Sequence, residues 1–117
     1  MDRCERVTDG VPDDVGVVEV TGELTIASGF GLPVEVAGML RAGARRIVID
    51  LSAVEFIDSS GLGLLVNVQR RVERATAHLV IVEPTERVRR VFEVTRLDQQ
   101  MALVATRAAA IAVFERD

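Results

Sequence analysis

Short, continuous apolar runs alternate along the chain with longer segments in which apolar residues recur every three or four positions. The runs at 47–49 and 77–82 are typical of strands that are covered on both faces of a sheet. Turn-forming residues at 9–14 join two earlier strands as a hairpin, so part of the sheet is expected to be antiparallel. The other strands are predicted at 3–7, 15–20 and 101–104.

The segments with helical spacing predict four helices. The first begins near Pro33, which suits a first helical turn, and ends at Ala42 before Gly43. Two glycines and that proline favour a longer loop over 25–33. The later helices follow capping residues at 58–60, 85 and 106. Strands that alternate with helices imply short crossovers, and so an α/β domain with a mixed sheet and helices packed over it.

Composition narrows the class of protein. A chain of 117 residues with 49% hydrophobic and 27% charged residues is expected to form one soluble domain. The net charge of -4 argues against direct nucleic-acid binding, which needs a clustered positive field. No apolar run approaches the ~20 residues that span a bilayer, residues 1–6 lack the apolar core of a signal peptide, and Cys4 has no cysteine partner. We therefore expect a cytoplasmic protein that contacts no membrane.

Two adjacent serines lie where an apolar strand gives way to a helix. Asp58, Ser59 and Ser60 all suit a helix N-cap, because a short side-chain oxygen accepts hydrogen bonds from the free N–H groups of the first turn. Gly61 adds room for close approach. The open side of the helix therefore begins beside the serines. The residues at core spacing are Leu62, Leu65, Val66 and Val72, and those on the opposite side are Gly63, Asn67, Arg70 and Arg74.

The segment Asp58-Ser59-Ser60-Gly61-Leu62-Gly63 follows apolar stretches at 47–51 and 54–57 and resembles the signature of STAS-domain anti-anti-sigma factors, also called anti-sigma factor antagonists. The earlier segment Val20-Thr21-Gly22-Glu23-Leu24 resembles the Gly-Glu-Leu turn after the second strand of that family. The resemblance extends over nearly the whole chain and implies a single STAS domain at 1–117. It implies a STAS-like α/β fold, with a mixed four- to five-stranded β-sheet flanked by about four α-helices.

The resemblance also implies a function. In that family the unphosphorylated protein binds an anti-sigma factor and so releases a sigma factor, and the anti-sigma factor is itself a serine kinase. Its target is the first serine after the aspartate, which places the phosphorylation site at Ser59 in preference to Ser60. The chain would then be a kinase substrate and not an enzyme, with no cofactor and no metal. The sequence leaves open which sigma factor is released and whether a serine phosphatase resets the switch.

The expected partner surface surrounds Ser59 and includes the loop at 25–30. Thr25 stands where the family commonly has an aspartate that contributes to kinase recognition. A threonine can donate a hydrogen bond to phosphate but cannot repel it. Phe30 is either a packed core residue or an exposed contact of the partner. The residues expected to bind the partner are Glu23, Thr25, Phe30, Asp58, Ser59, Ser60, Gly61, Gly63, Asn67, Arg70 and Arg74.

Four other interpretations assign these residues to different classes of site. Asp58 and the serines could merely cap the helix. Asp50 and Asp58 could form an acidic pocket for a metal and a phosphoryl group, as in response-regulator receivers, but those domains rely on a lysine and this chain has none. His78 paired with a serine would suit a hydrolase, but the chain has no Gly-x-Ser-x-Gly segment. The main alternative function is a STAS scaffold or ligand-sensing module in a larger regulatory or transport assembly, without serine phosphorylation.

Overall fold

A computed structural model describes residues 2–83 and 85–115 of the chain. The five strands lie in chain order across one sheet, in which the first two are antiparallel and every other neighbouring pair is parallel. The predicted mixed sheet with flanking helices is therefore confirmed. The strands are β1 (Arg3–Val7), β2 (Val15–Leu24), β3 (Arg46–Ile57), β4 (His78–Val82) and β5 (Ala102–Val104). The helices are α1 (Ile26–Gly29), α2 (Gly31–Arg41), α3 (Ser59–Arg74), α4 (Glu86–Val94) and α5 (Arg107–Glu115), with one 3-10 turn at Leu97–Gln99.

Alternation along the strands divides the core between the two faces of the sheet. In β3, Ile47 and Ile49 join the core formed with α2, α3 and α4, whereas Val48 joins the core formed with α5. Both faces of β3 are covered, and the strand is buried from 47 to 51. The continuous apolar run therefore marks the central strand of the sheet, as predicted.

Most of the helix boundaries follow the capping residues predicted from the sequence. Thr85 Oγ1 accepts a hydrogen bond from the N–H of Val88 at 3.4 Å, and Thr106 Oγ1 accepts one from the N–H of Ala109 at 3.0 Å. Gly43 follows α2 with a φ of +105°, a backbone conformation that favours glycine. These residues fix where the chain enters and leaves the helices.

The prediction of a long loop at 25–33 is wrong. The helical turn α1 lies within it, and α2 already begins at Gly31. The cause is a capping box, in which Thr25 Oγ1 accepts from the N–H of Ser28 at 3.3 Å and Ser28 Oγ accepts from the N–H of Thr25 at 3.1 Å. Pro33 lies in the first turn of α2, where a missing N–H costs no intrahelical hydrogen bond.

Strand β2 is longer than predicted. It was expected to end near Thr21 and Gly22, but it continues to Leu24 and pairs with β3 as far as Ile57. The register shifts between Gly22 and Glu23, and Gly22 has a φ of +83°. Glycine tolerates this left-handed conformation, so the strand bends there without breaking. As a result, β2 and β3 end side by side at the same edge of the sheet.

Candidate functional site

The two motifs identified in the sequence meet at this edge of the sheet. Leu24, the last residue of β2, pairs with Ile57, the last residue of β3. The chain enters α1 directly after the first strand and α3 directly after the second, so the first turns of these two helices are neighbours. Ser59 is the first residue of α3, and Asp58 is its N-cap.

Asp58 organises the start of α3 through its carboxylate. Its Oδ1 accepts hydrogen bonds from Ser60 Oγ at 2.6 Å and from the N–H of Gly61 at 2.9 Å. The bond from Ser60, followed by the bond from Gly61, lowers the pKa of Asp58 below its ordinary value of 3.8. The cap is therefore ionised at neutral pH, and a negative charge stands beside Ser59.

The low pKa of Asp58 predicts how the stability of the fold depends on pH. Asp58→Ala should be less stable than the parent protein at about pH 7, because the ionised cap is lost. The pKa of Asp58 in the folded state lies below 3.8. The extra stability of the parent is therefore fully present above pH 3.8 and is lost as the pH falls through the folded-state pKa. The measurement is Tm for both proteins from about pH 7 down to about pH 2.5. A parent advantage that has already vanished at about pH 5 would contradict this assignment.

The two serines have different surroundings. The half-buried Ser60 uses its hydroxyl fully, because Oγ donates to Asp58 and accepts from the N–H of Ile26 at 2.8 Å. Ser59 is exposed, and its hydroxyl has no hydrogen-bond partner within 2–83 and 85–115. An external enzyme therefore has direct access to the Ser59 hydroxyl, whereas the Ser60 hydroxyl would first have to leave two partners.

Gly61 is required by the contact between α3 and the end of β2. A Cβ atom at this position would overlap the carbonyl oxygen of Leu24, which belongs to the backbone and cannot rotate away. Gly63, one half-turn further along α3, has open space where its Cβ would be. The two glycines therefore have different roles, since Gly61 permits close packing and Gly63 leaves an exposed gap beside Ser59.

The hydroxyl of Thr25 is hydrogen-bonded within the capping box of α1. Ser28 Oγ donates its one hydrogen to the carbonyl oxygen of Glu23 at 2.8 Å. Thr25 Oγ1 lies 3.1 Å from Ser28 Oγ, so Thr25 must be the donor of that second bond. In this conformation Thr25 caps α1, and its hydroxyl would have to leave Ser28 before it could donate a hydrogen bond to a phosphate.

Three exposed apolar side chains extend away from the serines. Ile26, Phe30 and Val34 are 64%, 69% and 65% exposed. Phe30 has helical dihedral angles (φ -62°, ψ -20°), so α1 leads directly into α2 and residues spaced by four lie on one side. We call these three residues the apolar ridge. The core alternative for Phe30 is excluded, and its exposure agrees with a role in partner contact.

Of the three ridge residues, the sequence predicted only Phe30 as a partner contact, and Ile26 and Val34 are new. Ile26 lies within 25–33, which was predicted to be a loop, so its spacing from Phe30 and Val34 was not recognised as helical. Helix α1 packs closely on both β2 and α3, since a Cβ at Gly29 would overlap the side chain of Leu24 in β2 and press on Leu64 in α3. The open side of α3 is exposed as predicted, at Gly63, Asn67, Arg70 and Arg74.

The positions of His78, Asp50 and Asp58 in the fold exclude the hydrolase and receiver interpretations. His78 opens β4 beside Arg46, at the opposite end of β3 from the serines, so it cannot pair with either. Asp50 accepts from Arg107 Nε at 2.6 Å on the α5 side, whereas Asp58 caps α3. Within the described ranges, no three histidine, cysteine or acidic side chains are placed to share a metal ion. In the same part of the chain, no helix is long and apolar enough to cross a membrane.

The site therefore presents an exposed serine beside an apolar ridge, at the edge where β2 and β3 end. Residues 7–105 match the family model described as Mlab, STAS domain, and the chain therefore belongs to the STAS family. The resemblance noted from its motifs is confirmed.

Individual relatives agree with this assignment. The chain is 32% identical over 89 residues to the anti-sigma-B factor antagonist of Staphylococcus epidermidis. The aligned region covers 76% of this chain and 82% of the relative. It is 33% identical over 84 residues to the anti-sigma-B factor antagonist of Staphylococcus aureus. That aligned region covers 72% of this chain and 78% of the relative. The crystal structure of an anti-sigma factor antagonist from Mycobacterium paratuberculosis matches with a TM-score of 0.75 at 30% identity, covering 100% of this chain and 94% of the other.

Proposed function

We propose that this chain, as a single STAS domain spanning 1–117, is an anti-sigma factor antagonist that is switched by phosphorylation of Ser59. The unphosphorylated form binds an anti-sigma factor and so releases a sigma factor. The bound anti-sigma factor has serine kinase activity, and transfer of a phosphoryl group to Ser59 ends the binding. The observation that carries this proposal is the free, exposed hydroxyl of Ser59 between an ionised Asp58 and the apolar ridge. The names of the relatives support the class of partner.

Phosphorylation of Ser59 is compatible with the fold. The hydroxyl has no internal hydrogen bond to lose within the described residues, and it points from the first turn of a 16-residue helix. Free N–H groups and the helix dipole favour an anion at such a position. The group adds about 1.5 to 2 negative charges without entering the core. The phosphorylated domain should therefore keep its structure.

The same charge is unfavourable in an interface. A partner that covers the Ile26 end of the apolar ridge is expected to reach Ser59 as well, because the backbone N–H of Ile26 is hydrogen-bonded to the adjacent Ser60. A phosphate there would lose water against apolar groups and would stand next to the carboxylate of Asp58. Binding is therefore expected to be lost although the domain itself is unchanged.

The apolar ridge predicts a binding variant that does not affect folding. Phe30→Ser should weaken binding of the anti-sigma factor by about tenfold or more, because exposed aromatic residues commonly dominate interfaces. Its Tm should stay close to that of the parent, since the ring is 69% exposed. Val94→Ser is the matched control, because Val94 is 77% exposed but lies on α4, away from the site. Equal loss of affinity in both variants would contradict the assignment of the ridge.

Phosphopeptide mapping tests the proposed phosphorylation site. The protein, Ser59→Ala and Ser60→Ala are each incubated with ATP and a lysate of the source cells, and phosphate is located by mass spectrometry. We expect phosphate on Ser59 in the parent and in Ser60→Ala, and none in Ser59→Ala. Phosphate confined to Ser60 would move the switch by one residue. No phosphate at either serine, with the lysate active on a control substrate, would favour an unphosphorylated STAS scaffold.

A further inference from the structure

Ser60 joins two segments of the site that are far apart in the chain. Its Oγ accepts a hydrogen bond from the N–H of Ile26, 34 residues earlier, at 2.8 Å, and donates one to Asp58 at 2.6 Å. One hydroxyl therefore connects the first residue of α1 to the N-cap of α3. We call this pair of bonds the Ser60 latch.

The latch acts on the shortest helix of the site. Helix α1 has only four residues, and a single turn is not stable by itself because helix nucleation is unfavourable. The N–H of Ile26 is one of the groups at the start of a helix that have no partner inside it. Ser60 supplies that partner. Ile26 is also the first residue of the apolar ridge, so the latch and the ridge share a residue.

We propose that Ser60 is a positioning residue for partner binding, because its hydroxyl fastens α1 to the start of α3 and so holds the apolar ridge beside Ser59. This inference rests on the proposed function, since the occupant of the ridge is the anti-sigma factor. The surface of the ridge is continuous with the phosphorylation site, which argues for a single partner that covers both. Ser60 itself takes no phosphate and acts through Ile26.

Loss of the hydroxyl has a defined physical effect. In Ser60→Ala, the N–H of Ile26 has no acceptor from α3, so the first turn of α1 samples open conformations. The anti-sigma factor must then order this turn when it binds, and that cost reduces affinity. Ser60→Thr keeps the hydroxyl and should restore both the bond and the affinity.

Two measurements test the latch and its role separately. Amide hydrogen exchange on the isolated protein should show exchange at Ile26 at least about tenfold faster in Ser60→Ala than in the parent, with Ser60→Thr similar to the parent. Titration with purified anti-sigma factor should show about threefold to tenfold weaker binding for Ser60→Ala and recovery in Ser60→Thr. In phosphorylation assays, KM should rise for Ser60→Ala while kcat stays unchanged.

Each contrary result has its own meaning. An unchanged rate of amide exchange at Ile26 in Ser60→Ala would overturn the latch, whatever affinity for the anti-sigma factor is measured. Faster exchange with unchanged affinity would overturn the positioning role. If the parent protein binds no anti-sigma factor at all, the proposed function fails and the positioning role fails with it, while the exchange result still decides whether the latch exists.

Discussion

Gly61→Ala should destabilise the domain by about 3 kcal/mol or prevent folding. The added methyl group would overlap the carbonyl oxygen of Leu24 where α3 crosses the end of β2. The carbonyl belongs to the backbone of β2 and the position of a Cβ is fixed by the backbone of α3, so the overlap cannot be relieved by rotating a side chain. Either the start of α3 moves outward, which also displaces Ser59, or the parallel pairing at the end of β2 is lost. The measurement is the free energy of unfolding in urea.

Gly63→Ala is the matched control for this prediction. It makes the same chemical change two residues further along α3, where a Cβ meets open space. Alanine has the higher helix propensity, so this variant should be more stable than the parent by up to about 1 kcal/mol. We expect the free energy of unfolding to fall in Gly61→Ala and to rise in Gly63→Ala. Gly61→Ala at or above the stability of the parent would show that α3 does not approach Leu24 this closely.

Ser59→Asp should weaken binding of the anti-sigma factor by about 100-fold, or about 2.7 kcal/mol. The variant places a negative charge beside the ionised Asp58 and the apolar ridge, which imitates part of the charge of a phosphate. Its Tm should stay close to that of the parent, because Ser59 is exposed. Ser59→Ala should bind the anti-sigma factor with the affinity of the parent, and incubation with ATP should not reduce that affinity. Affinity is measured by titration calorimetry with the purified anti-sigma factor.

The control for this charge is Thr8→Asp. Thr8 is exposed directly after β1, which runs antiparallel to β2, so it lies at the opposite edge of the sheet from Ser59. The same charge there should leave the affinity unchanged. If Thr8→Asp weakens binding as much as Ser59→Asp does, the effect comes from net charge and not from the site. If Ser59→Asp unfolds the domain, the proposed switch is wrong.

The general fold could be predicted because its signals are local. Continuous apolar runs identified β3 and β4, and the period of α3 identified its buried and open sides. Helix α1 could not be found in this way, since a four-residue turn is too short to show a period. Its signal was the capping box between Thr25 and Ser28, and the nearby glycines concealed it.

The candidate site was predicted in part for a similar reason. The motif placed both serines at the start of α3, but local sequence could not distinguish their surroundings. The difference comes from the bond between Ser60 and Ile26, whose residues are 34 positions apart. This contact depends on how β2 and β3 are paired, and the alternation of side chains predicts which face of each strand is buried without giving the paired residues. For the same reason, Asp50 was considered as a metal ligand, although Arg107 on α5 neutralises it.

The most direct test of the account is the affinity of one protein sample for its anti-sigma factor in two states. The protein is phosphorylated to completion, its affinity is measured, and the phosphate is then removed with a serine phosphatase before a second measurement. We expect binding to be lost on phosphorylation and fully restored on removal, with Ser59→Ala unaffected by either treatment. Equal affinity of the phosphorylated and unphosphorylated forms would contradict the central claim that Ser59 is the switch.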